Sequence, residues 1–196
     1  DNIQYSLQRD ARLNSVVFNS GTPLYRGDIH IQYHGENGNV KLSGLSLLNE
    51  KQHMDTRIIV DHTQPHCNSC QLFKYILDDT ASGVFNGRVI VREDSQKTDS
   101  SQLNKNLLMS DKATMNSNPQ LEIHADDVRC THGSTTGQLS EDALYYIRSR
   151  GIETTIAQKL MVKGFAGEIL ANIKDQSTAV YLNKKLTSWL ESSENG

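Results

Sequence analysis

The chain has 196 residues, of which 36% are hydrophobic and 22% charged, and its net charge is −3. That is long enough to bury a core, and the charge is too balanced and too scattered to point to nucleic acid or an anionic membrane as partner. No stretch approaches the roughly 18 uninterrupted apolar residues that a membrane span needs.

The N-terminal run DNIQYSLQRDARLN lacks an initiator Met and an apolar signal-peptide segment, and reads as the start of a piece cut from a longer chain. From there to about residue 138 the pattern is β. Short alternating runs recur, among them DIHIQYHG, NVKLSGLSLL, DTRIIVDH and GRVIVRED, each bounded by Gly, Asn, Asp or a polar cluster. Runs of this kind build a sandwich, a barrel or a β-solenoid. Polar, amide-rich strands and Asn/Gly-rich turns such as GENGN and VFNGR favour the solenoid, although no exact repeat period shows.

Within this β region lies HTQPHCNSC. It sets His62, His66, Cys67 and Cys70 within nine positions. Imidazole and thiolate are zinc and iron ligands, so the cluster is a candidate metal site. Against it, His-x3-His suits a helix whereas the surroundings read as strand, Pro65 breaks helical spacing, and a second ligand pair is missing. The alternative is a turn leading into the strand CQLFKYIL.

The last β stretch is LEIHADDVRCTHG. Leu121, Ile123 and Ala125 share one strand face. The alternation slips at Asp126–Asp127, which predicts a bulge or tight bend in a solvated segment. After the slip Val128, Cys130 and His132 share a face, about 7 Å between alternate residues. A thiol and an imidazole so placed can lean toward one metal or bridging sulfide, but two ligands do not close a site. The competing reading is a buried small residue followed by a hydrogen-bonded histidine at a turn.

From Ser140 the period becomes helical. SEDALYYIRSRG has a Ser cap, acidic residues in the first turn, and Leu144 and Ile147 on one face. IETTIAQKLMVKGFAGEILANI follows, with an apolar stripe of Ile156, Leu160 and Met161; Gly164 and Gly167 predict a bent helix or two short ones. STAVYLNKKLTSWLES is a third helix, capped by Ser177, with Leu182, Leu186, Trp189 and Leu190 as its apolar face. SSENG reads as frayed. The expected organisation is a β body at 1–138 and a helical domain at 139–196.

Several chemistries lack their motifs: there is no G-x-x-x-x-G-K-[ST] phosphate loop, no G-x-S-x-G elbow and no H-E-x-x-H. Adjacent Asp126 and Asp127 point to opposite faces of a strand and cannot flank one bond. Three cysteines, an odd number, argue against a disulfide framework and for a reducing, cytoplasmic setting.

The run LEIHADDVRCTHGSTTGQLSEDALYYIRSRGI resembles the SufB/SufD family of iron–sulfur cluster assembly proteins. So does the upstream run from DHTQPHCNSC through the FNG and QKTD…NLLMSD patterns, and the resemblance covers roughly residues 55 to 170. The Cys130-Thr131-His132-Gly133 form is similar to the SufD branch. Two positions depart from the expected pattern: His124 stands in place of Tyr and Cys70 in place of Asn.

The resemblance implies a right-handed β-helix with a C-terminal helical domain, serving as a non-catalytic scaffold. It implies a SufB-like partner bound through the β-helix and a SufC-like ATPase bound through the C-terminal helices, which would place nucleotide chemistry on the partner. It also implies that His132, with Cys130 as the weaker candidate, faces a nascent cluster shared with the partner, and that no cofactor is held stably by the isolated chain. A homodimer stays open as the pairing. Two readings compete: a metal-binding protein or metalloenzyme using His62, His66, Cys67 and Cys70 with His132, and a self-associating structural solenoid.

Overall fold

A computed structural model describes residues 1–192. Ten strands come first in the chain: β1 (Asn2–Leu7), β2 (Arg12–Ser20), β3 (Leu24–Tyr33), β4 (Asn39–Leu48), β5 (His53–His62), β6 (Asn68–Leu77), β7 (Ser82–Val91), β8 (Asp99–Leu108), β9 (Thr114–Ile123) and β10 (Arg129–Gly137). Three helices follow: α1 (Glu141–Arg148), α2 (Thr154–Leu170) and α3 (Gln176–Ser192). The frayed end expected for SSENG falls, except for Ser192, outside the described residues.

Odd-numbered strands form one parallel sheet in the order β1-β3-β5-β7-β9, and even-numbered strands form the other, β10-β8-β6-β4-β2. Each coil contributes one strand to each sheet, so the chain winds as a β-solenoid of five coils. Rung partners lie 26 residues apart at Asn2–Asp28, 29 at Leu24–His53 and at His53–Ser82, and 32 at Ser82–Thr114. That drift is why no fixed period shows in the sequence.

The corners between coils are stacked turns. Asp10, Asn37, His66 and Lys97 occupy equivalent corners, all with positive φ between 59° and 62°. Their amides climb the stack: Asp10 donates to the Glu36 carbonyl, Asn37 to Pro65, His66 to Gln96 and Lys97 to Asp127, at 2.7–3.4 Å. The slip read at Asp126–Asp127 is the next corner of this stack, the tight bend of the two alternatives and not a bulge within a strand. The VFNGR segment, read as a turn, lies in the middle of β7. Glycine is required there for space: a Cβ on Gly87 would lie 2.6 Å from the Gln102 amide across the interior.

The first coils enclose an apolar core between the sheets, with Ile31, Tyr33, Leu42, Ile58, Val60, Phe73 and Phe85 all buried. A second core lies outside the even-strand sheet. There Leu45, Leu47, Ile76 and Leu107 project outward and are covered by Val162, Ala166, Ile169 and Leu170 of α2 and Leu182, Leu186, Trp189 and Leu190 of α3. The apolar face expected of α3 is therefore the one that is buried.

The α2 expectation needs correction. The helix runs uninterrupted through Gly164 and Gly167, where the backbone crowds nothing. Its buried face is Ala157, Val162, Ala166, Ile169 and Leu170, while Ile156 and Leu160 are about half exposed. Small Ala157 and Ala166 let the helix approach closely, which outweighs the larger side chains. Ser140 caps α1 as expected, its hydroxyl accepting the Ala143 amide. At α3 the cap is Asp175, not Ser177: the Asp175 carboxylate accepts from the Thr178 amide at 2.7 Å and from the Ser177 hydroxyl.

Candidate functional site

The four ligand-type residues of HTQPHCNSC are dispersed by the corner they span. His62 is the last residue of β5 and points into the solenoid, fully buried, its ring stacked on Tyr33 at 4.5 Å between centroids. Its Nε2 is 2.9 Å from Ser69 Oγ, and burial holds its pKa down at about 4. His66 is the exposed αL corner residue. Cys67 is buried beside Gly38, its thiol pushed up by burial. Cys70 points outward from β6 into solvent. Among the described residues no three His, Cys, Asp or Glu side chains gather as a metal group. The segment serves as a corner leading into β6.

The interior changes character toward the C-terminal coils. On the inward face of the even-strand sheet, β4 presents Val40 and Leu42, and β6 presents Ser69 and Gln71 before Phe73 and Tyr75. In β8 the inward positions are Ser100, Gln102, Asn104 and Asn106, all buried. Their rung partners on β10 are Cys130, His132, Ser134 and Thr136. These side chains meet along the rungs. The Ser69 and Ser100 hydroxyls lie 2.8 Å apart, Gln102 Nε2 donates to Gln71 Oε1 at 2.9 Å, and Asn106 Nδ2 donates to Thr136 Oγ1 at 3.1 Å.

Cys130 and His132 thus share the inward phase of β10, as the alternation implies. The strand does not break at Gly133 but continues to Gly137. Because β10 pairs only with β8 and β9 only with β7, this coil is the open end of the solenoid among the described residues. Cys130 is half-buried against Val89, Val91 and Ala125, and burial raises its thiol pKa. His132 is exposed. The pair offers one soft and one borderline ligand at an unpaired strand edge, with the rest of any coordination sphere left open to a second molecule.

The family model for the SUF system FeS cluster assembly SufBD core domain matches residues 1–165. The chain belongs to the SufBD family. Its relatives include the iron–sulfur cluster assembly protein SufD of Escherichia coli, 38% identical over 170 residues, which are 87% of this chain and 40% of that protein. A SufBD family protein of Synechocystis is 38% identical over 165 residues, 84% of this chain and 36% of that protein. One from Mycobacterium tuberculosis is 35% identical over 195 residues, 95% of this chain and 49% of that protein. The SufBD chain described here therefore spans less than half the length of these curated relatives. No helix among its described residues is long and apolar enough to cross a membrane.

Sequence reasoning missed the polar ladder behind the pair. Gln71, Gln102 and His132 are separated by about thirty residues each, and only the register brings them together.

Proposed function

We propose that this SufBD protein is a SufD-like, non-catalytic scaffold subunit of iron–sulfur cluster assembly, working in a reducing cytoplasm. It pairs with a SufB-like subunit through the open end of the solenoid, and His132, assisted by Cys130, contributes to a nascent cluster shared with that subunit. The observation that carries the reading is the placement of an imidazole and a thiol side by side on an edge strand, with only half of a coordination sphere on the chain. An unpaired parallel strand edge is also a ready template for another chain.

Docking of a SufC-like ATPase belongs to the helices. The inner faces of α2 and α3 are spent on the solenoid and α1 buries no residue, so the docking surface is the outer one, where Tyr145, Tyr146, Ile156, Leu160, Val180 and Tyr181 remain exposed. Nucleotide hydrolysis falls to that partner, consistent with the missing phosphate loop.

The test is co-expression of the full-length protein with its SufB and SufC homologues, followed by iron and acid-labile sulfide analysis of the purified complex. His132→Ala is expected to leave the complex assembled and to lower both contents several-fold. An assembled His132→Ala complex with undiminished iron and sulfide refutes the site.

A further inference from the structure

We propose that Gln102 is the positioning residue for His132, its side-chain oxygen accepting the imidazole N–H that does not face the cluster. This rests on the reading of His132 above and names the group that fixes its ring.

Gln102 is completely buried. Its Nε2 is committed to Gln71 Oε1, and its Oε1 has no hydrogen-bond partner. A buried acceptor left unmade costs about 1–3 kcal/mol, so it calls for a reason. The rung partner of Gln102 on β10 is His132, on the same inward phase. Adjacent strands lie about 4.8 Å apart, within reach of two such side chains.

On the same two strands, the next inward pairs do meet. Asn106 Nδ2 donates to Thr136 Oγ1 at 3.1 Å, and Ser134 reaches Asn104 through Ser117, donating to the Ser117 hydroxyl, which donates to Asn104 Oδ1, both at 2.7 Å. Gln102 therefore stands where its neighbours show that rungs close. Room for its amide comes from Gly87, whose missing Cβ would collide with it at 2.6 Å. The glycine of the FNG segment and the glutamine form one device, and that device ends at His132.

A metal-bound histidine almost always donates its second ring N–H to an oxygen acceptor. Removing that acceptor typically costs about 10–100-fold in metal affinity. Gln102 can supply this acceptor without bringing a buried charge to the site.

The experiment uses the same co-expressed complex with Gln102→Met, which keeps volume and removes the acceptor, and Gln102→Glu, which restores an oxygen acceptor. The readouts are subunit stoichiometry, thermal midpoint, and iron and sulfide content. Gln102→Met is expected to assemble with a midpoint modestly below wild type, because the buried Gln71 amide loses its donor, while iron and sulfide fall about tenfold. Gln102→Glu is expected to recover them to within about twofold.

Undiminished iron in Gln102→Met overturns the inference, and so does equal loss in both variants, since a merely structural role would not distinguish Met from Glu. Should Gln102→Met fail to assemble, Gln71→Met carries the test. It frees the Gln102 amide to turn and is expected to lower iron, and unchanged iron in it overturns the inference too. If His132→Ala keeps its iron, the site reading itself has failed. If His132→Ala loses iron while Gln102→Met does not, only the positioning role has.

Discussion

Buried between the Tyr33 ring and the Ser69 hydroxyl, His62 is held neutral. The unfolded imidazole titrates near 6.5 and the folded one near 4, held down chiefly by burial. Between those values the unfolded state binds a proton that the folded state refuses, so stability is lost as pH falls from about 6.5 to 4. The shift corresponds to something on the order of 3 kcal/mol. Urea denaturation of wild type and His62→Gln should therefore give a stability difference that moves by about that amount, in the variant's favour, between pH 7 and pH 4; parallel curves would exclude His62 as the sensitive group. The cysteines separate just as clearly. Cys70 is exposed, Cys130 half-buried and Cys67 fully buried. An aromatic disulfide reagent should find one fast thiol, one slow thiol, and a third that reacts only on unfolding. At this scale the sequence was deceptive: His62, His66, Cys67 and Cys70 are near in sequence, but strand, corner and strand alternation send them in different directions. Cys130 and His132 were legible because both lie on one strand, where alternation holds.

At the scale of elements, solenoid packing turns on inward glycines that make room for large neighbours. A Cβ at Gly44 would lie 2.2 Å from Phe73 Cδ1, and the Phe73 ring is itself held against Phe85 at 5.5 Å between centroids. Gly44→Ala should cost about 1–3 kcal/mol by chemical denaturation, the range for overpacking a filled core; an unchanged midpoint would mean that the ring can move. The helical layer has its own fastening. Lys74 projects outward from β6 but is buried, donating to the Phe165 carbonyl at 2.7 Å, lying 4.5 Å over the Phe165 ring, and pairing with Glu168 at 2.5 Å. The same contacts with Lys74 and Lys105 lower the Glu168 pKa. Glu168→Ala should cost about 1 kcal/mol, because the carboxylate is half exposed and screened by solvent while Lys74 keeps the Phe165 carbonyl. It should appear first as faster amide exchange in α2, and unchanged exchange there would remove Glu168 as a clasp. None of this was readable from periodicity. Alternation gave the strands and amphipathicity gave α3, but α2 is seated by Ala157 and Ala166, residues that weigh little in any apolar stripe.

Across the whole molecule, the helices and the solenoid share one outer core, which decides how partner docking can be tested. The division at residue 138 marks a change of secondary structure, since the strands end at Gly137 and the first helix begins at Glu141. It does not separate two independent cores, because α2 and α3 cover Leu45, Leu47, Ile76 and Leu107 on the outside of the even-strand sheet. Removing residues 140–196 would bare that apolar stripe on a sheet that already has open strand edges, a combination that favours self-association. The truncated chain is expected to form large soluble or insoluble assemblies by light scattering, and lost ATPase binding in it would say nothing about a docking surface. Substitution on the outer helical face avoids the difficulty. Ile156→Ser with Leu160→Ser removes half-exposed apolar area and should leave the thermal midpoint within a few degrees, because neither side chain supports the core. It should weaken co-purification of the SufC homologue, while Tyr33, Phe73 and the rest of the inner core stay untouched. A double variant that keeps its fold and its full complement of ATPase would move the docking surface elsewhere, and a monomeric, stable truncation would show that the solenoid stands without its cover.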